Sequence, residues 1–128
     1  MKKSVETDIV CIERVLKYVN LIGEAYTSFN VVNSDNLRRN HVCQLAISQA
    51  ITNIHELRKK MRIETVKKMP LFEAQGVRLK AARNIASHDY ESMDFGLIFK
   101  LTQQLISSGM HSELEVTKSD LNGSKTDN

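Results

Sequence analysis

Seven residues near the N-terminus, Val5, Ile9, Ile12, Leu16, Val19, Gly23 and Tyr26, follow one another at steps of four, three, four, three, four and three. That spacing returns each residue to the same side of a 3.6-residue helix, whereas a strand alternates faces every two residues. Val15, Ile22 and Phe29 widen the stripe, so the sequence predicts a long helix over roughly 5–29 that must bury one side. With 5 Gly and 1 Pro in 128 residues, the chain lacks the frequent turns of an all-β sandwich or barrel. A hydrophobic share of 41% against 26% charged residues excludes a mainly disordered chain, and the length is that of one domain.

The stripe breaks at the turn-rich run Asn30–Asn36, where Ser34 or Asp35 is the N-cap expected for a second helix. Val42, Leu45, Ala46, Gln49, Ala50, Asn53, Ile54, Leu57 and Met61 continue it at helical spacing. Gln49 and Asn53 place amides beside that stripe and are expected to join a polar network between helices. Between Met61 and Leu79 the pattern weakens to a short helix or turn, with Pro70 as a breaker and Gly76 as a helix stop. A further helix is expected from Val77 to about His88. A last one, capped by Ser92 or Asp94, carries Phe95, Ile98, Phe99, Thr102, Leu105 and Ile106. These elements predict an all-α, antiparallel up-and-down bundle of four to five helices over residues 1–115. The polar residues 116–128 read as a flexible tail.

Cys11 and Cys43 are too few for a disulfide scaffold, and Met1-Lys2-Lys3-Ser4 is not followed by an apolar leader, so free thiols in the cytoplasm are expected. No apolar run reaches the ~18–20 residues of a membrane span, so no membrane partner is expected. His41 and Cys43 would point about 200° apart on a helix, which argues against a tetrahedral metal site with His55. Core packing is the expectation for Cys43 and helix surface for the two histidines; no metal and no cofactor is expected.

Charge is distributed unevenly. Residues 1–35 carry four Lys/Arg against five acids, residues 36–83 eleven against three, and residues 84–128 three against seven. The basic middle, with Arg38, Arg39, Arg58, Lys59, Lys60, Arg62, Lys67, Lys68, Arg78, Lys80 and Arg83, suits a polyanion, since each neutralised phosphate releases counterions; the alternative is a solvated helix face.

The chemistry concentrates in Arg83-Asn84-Ile85-Ala86-Ser87-His88-Asp89-Tyr90. Asn84 and His88 share a helix face, and Arg83 would lie about 20° from Tyr90 if the helix extended that far. A guanidinium grips a phosphate through two hydrogen bonds, and an imidazole moves protons near neutral pH, so the group suits phosphodiester cleavage. The competing structural reading is a helix end, with His88 stabilised by the helix dipole.

Arg83, four residues, His88, one residue and Tyr90, followed by Glu91-Ser92-Met93-Asp94 and an apolar helix, resemble the HepT-like branch of the HEPN superfamily. Gly76-Val77 resembles that family's glycine before the motif helix, and Leu45–Leu57 its long second helix. The chain departs from the usual pattern at Ala81-Ala82, where relatives often have Gly-Phe, and at Asn53, where many have Asp. The resemblance implies a dimeric HEPN-like bundle and a metal-independent endoribonuclease toxin. Arg83 and His88 would be catalytic at the homodimer interface, Asn84 would support them, and Arg38, Arg39, Arg78 and Lys80 would contact RNA. It further implies an MNT-type nucleotidyltransferase antitoxin that attaches AMP to Tyr90. The alternative is a noncatalytic HEPN module that binds nucleotides or a protein partner.

Overall fold

Ser4 opens the first helix with a reciprocal cap: its hydroxyl accepts from Thr7 N (3.2 Å) while Thr7 Oγ1 accepts from Ser4 N (2.7 Å). In the computed structural model, which describes residues 3–88 and 94–126 (of 79–80, 82–88 and 125–126 only the backbone), that helix is α1, Val5–Ser28. It ends in a Schellman turn. Asn30 takes a left-handed φ of 56°, and the N–H groups of Asn30 and Val31 return to the carbonyls of Thr27 and Tyr26.

The described residues form seven helices and no strand. After α1 come α2 (Ser34–Arg38), α3 (His41–Lys60), α4 (Ile63–Lys67), α5 (Pro70–His88), α6 (Phe95–Ser107) and α7 (Met110–Thr126). The all-α class therefore stands, with five long helices and two single turns where four to five helices were expected. The stripe of α1 packs chiefly on α3 and α7 and also meets α6, burying Ile12, Val15 and Ile22 completely. α5 lies against α3 and reaches α6 and α7.

Three expectations are corrected. The second helix is two elements, because Asn40 caps α3 by accepting from Cys43 N (2.9 Å), and the buried Gln44 donates to the carbonyls of Leu37 and Arg38, closing α2. Gly76 does not stop a helix: α5 begins at Pro70 and runs through it. The segment from residue 116, expected as a flexible tail, continues α7, and the domain boundary expected at 115 falls inside that helix. Met110, Leu114, Thr117 and Leu121, at steps of four, three and four, are buried along it. Gly109, at φ 81°, makes the tight link from α6.

Asp8 is the one acid among the buried residues of α1. Its carboxylate accepts from the Arg62 backbone N–H (3.1 Å), Arg62 Nε (2.6 Å) and Thr65 Oγ1 (2.5 Å), tying α1 to α4 and the residue before it. That pairing holds the Arg62 guanidinium above its ordinary pKa, mainly through the Asp8 hydrogen bond. Among the described residues no helix is long and apolar enough to cross a membrane.

Candidate functional site

The described part of the motif, Arg83–His88, belongs to α5, which is fixed at its start. Pro70 stands at the first helical position, where its missing N–H costs nothing. The next two N–H groups, of Leu71 and Phe72, both donate to the Glu113 carboxylate of α7 (3.0 and 2.8 Å). A carboxylate at a helix N-terminus also complements the dipole. Further along, the Arg58 side chain of α3 lies over Gly76: a Cβ there would stand 2.2 Å from Arg58 Nε. Glycine at 76 is a close-approach residue and not a helix terminator.

Arg83, Asn84 and His88 occupy the last described turns of α5, and His88 is its last described residue. The helix register places Val77, Ala81, Asn84 and His88 on one stripe at steps of four, three and four. Of these, Val77 and Ala81 are exposed, Val77 to 69%. Position 83 is about 140° around the helix from position 88, in register with the buried Phe72 and Gly76. Asn84 and His88 thus share a side, as expected, while Arg83 starts from another. Tyr90 lies outside the described residues, as do Asp89 and Glu91–Met93, and the side chain of Lys80 likewise.

The proposed RNA contacts separate. Arg38 is exposed on α2, pairs with Asp35 at 3.0 Å, and sits by the first turn of α6, where a Cβ on Gly96 would meet its Nη2 at 3.4 Å. Asp94 caps that turn, accepting from Leu97 N. Arg38 therefore borders the point where the chain re-enters helix after the motif. Arg39 is exposed at the end of α2. Arg78 bridges α5 to α6 by donating to Gln104 Oε1 (2.7 Å). Of two other basic residues, Arg62 is engaged with the buried Asp8 (2.6 Å), whereas Arg58 only approaches Glu73, at 3.7 Å.

Among the described residues Gln49 and Asn53 bond to each other and to no other helix: Gln49 Nε2 donates to Asn53 Oδ1 (3.0 Å) along α3. His41 is exposed, but His55 is buried, against the expectation of a surface position, and Cys43 is wholly buried. Burial pushes the thiols of Cys11 and Cys43 up in pKa, which leaves them poor nucleophiles. Among the described residues no group of three His, Cys, Asp or Glu is placed to hold a metal ion. Two adjoining grooves of about 470 Å³ each follow α1. One is lined by Gly23, Thr27, Ile106 and His111 and the other by Glu13, Lys17 and Lys118, and neither includes a residue of α5.

Asp8, Arg58 and Glu113 were missed as organising residues. Asp8 carries a readable signal, an acid four residues before Ile12 on the apolar stripe. The partners of Arg58 and Glu113 arise only from tertiary packing. No family model matches the chain, and no curated protein or solved structure is significantly similar to it.

Proposed function

We propose that the chain is a metal-independent endoribonuclease of the HepT-like kind, acting as a homodimer with an HEPN-like antiparallel bundle. The observation that carries this reading is the uncovered stripe of α5, exposed at Val77 and Ala81, whose register runs on to Asn84 and His88. An apolar position at 69% exposure on a helix that ends in the motif suits a second copy of the same helix across a two-fold axis.

The chemistry requires that second copy. RNA is cut through its own 2′-hydroxyl, which must lose a proton while the departing 5′-oxygen gains one. His88 of one protomer takes the first proton, and His88 of its partner delivers the second. Arg83 stabilises the charge on the pentacoordinate phosphorus, and Asn84 holds the geometry. The products end in 2′,3′-cyclic phosphate, and DNA is not a substrate because it lacks the nucleophile. Exposed Arg38 and Arg39, with Arg78 and Lys80, direct the RNA backbone to the cleft. An MNT-type nucleotidyltransferase antitoxin adds AMP to Tyr90, and the added phosphate repels the substrate.

The test is cleavage of cellular RNA by the purified protein in EDTA, with His88→Ala and Arg83→Ala in parallel and the product ends assayed for cyclic phosphate. Cleavage by wild type alone, all three proteins being folded dimers, supports the reading. An unmodified, folded and inactive wild-type dimer overturns it in favour of a binding module.

A further inference from the structure

At the far end of α5 from the motif, a pocket of about 180 Å³ opens where α3, α4 and α5 meet the start of α1. Its polar lining is Lys3, Arg58, Lys59 and Glu73, three cations against one carboxylate, over a floor that includes Met61 and Val66. The volume is several waters of ~30 Å³ and falls short of the roughly 300–1,000 Å³ of a cofactor cleft, so it suits one polyatomic anion.

The arginine is built in place. Its side chain is only 25% exposed and lies over Gly76, where any larger residue would collide with Nε. That Nε is buried and has no hydrogen-bond partner among the described residues. The nearest carboxylate, Glu73, stands 3.7 Å from Arg58 Nη2, beyond hydrogen-bond length, and Lys59 is equally far from Glu56. Nε faces Gly76 and is closed to a ligand, but Arg58 Nη2 and the Lys59 ammonium meet their carboxylates only at 3.7 Å and so keep donors for one; a planar guanidinium held against a helix is suited to a phosphate.

We propose that this pocket binds a single phosphate group, with Arg58 as its fixed donor and Lys3 and Lys59 as mobile ones. The group is either a phosphodiester of an RNA backbone or the phosphate of a small ligand. Position 76 lies about 18 Å along α5 from position 88 and about 120° around it, so an RNA reaching both would have to wrap around the helix. The pocket itself is independent of the nuclease reading.

The test is a titration of the full-length protein, followed by backbone amide NMR at constant ionic strength. The probes are inorganic phosphate, perchlorate as a control, and a 2′-O-methyl hexauridylate that cannot be cleaved. Phosphate should give saturable shifts over residues 58–66 and 73–77 that perchlorate does not. Lys3→Gln/Lys59→Gln should weaken binding about tenfold or more. Gly76→Ala, which keeps every charge and favours helix, should weaken it similarly by displacing Arg58. Phosphate shifts equal to those of perchlorate, or undiminished binding in Gly76→Ala, overturn the proposal. Hexauridylate binding at least about tenfold tighter than phosphate at the same amides assigns the site to RNA, and weaker or equal binding assigns it to a small phosphorylated ligand. Cleavage is scored separately, so an inactive protein that binds phosphate here retains this site while losing the nuclease reading.

Discussion

Replacing Arg62 by alanine is the sharpest test of how this fold is held. Asp8 is fully buried and accepts three hydrogen bonds, two of them from Arg62. In Arg62→Ala the backbone N–H and the Thr65 hydroxyl remain, but the charge that balances the carboxylate is gone. Removing one partner of a buried pair costs about 3–5 kcal/mol, and the 24% exposure of Arg62 argues for the lower end, about 3 kcal/mol. Asp8→Ala leaves the Thr65 hydroxyl, 1% exposed, and the Arg62 N–H without that acceptor, at about 1–3 kcal/mol for each such group. The double variant should lose less than the sum, by roughly 1–3 kcal/mol of coupling. Urea unfolding followed by circular dichroism at 222 nm measures all three. A loss under about 1 kcal/mol in Arg62→Ala, or strict additivity, would refute a buried, paired Asp8. Phosphate and RNA affinity should not change, since this arginine, read in the sequence as part of a basic tract, is committed to Asp8.

Burial raises the Tyr26 hydroxyl to about 12, so its contribution is complete below the ordinary tyrosine pKa near 10 and is lost as pH climbs towards 12. Unfolding measured across that range should show a decline on the order of 2–3 kcal/mol that is absent in Tyr26→Phe. At neutral pH that variant should lose only about 1 kcal/mol, because Thr102 still donates to the carbonyls of Ile98 and Phe99. Leu121→Ala should destabilise the fold by about 2–5 kcal/mol in urea, whereas a substitution in a mobile tail would cost nothing. Glu113→Ala should cost about 1 kcal/mol and speed hydrogen exchange at Leu71 and Phe72; unchanged exchange there would show that the carboxylate does not cap α5. Cys11 and Cys43 should resist alkylation by iodoacetamide in the native protein and react fully in urea.

What could be read without coordinates was local. The stripe of α1 involves many apolar residues at one period, and its extent agrees with the helix to within a residue at its end. Asp94, one of two caps offered with Ser92, was readable because the signal is a side chain three residues from its donor, but the same kind of signal misplaced the cap of α2, which is Asn33 and not Ser34 or Asp35. Gly76 was misread because a glycine that ends a helix and one that admits a crossing side chain look alike in sequence. Only the position of Arg58 separates them. The polar composition of α7 hid a four-residue stripe too narrow to stand out, and it is helical because α1 offers that stripe a surface.

The same distinction governs the candidate site. Arg83 and His88 are recognised as a pair by their separation along the chain, yet on a continuous helix that separation turns them about 140° apart. Within one protomer, therefore, α5 does not bring them to one side by helical geometry. Position 83 follows the stripe that packs inward, and position 88 the stripe left open at Val77 and Ala81. A site that needs both groups at one phosphate must be completed by what covers the open stripe, and in the proposed dimer a second copy would supply another histidine there. Val77→Glu is then the informative change. On an exposed, isolated surface it should be nearly neutral for stability, within about 0.5 kcal/mol. At a two-fold axis it sets like charges against each other and should convert dimer to monomer in sedimentation velocity, with RNA cleavage lost in parallel. A Val77→Glu protein that remains a fully active dimer would place the interface elsewhere and remove the reason for assigning the second proton to the partner's histidine.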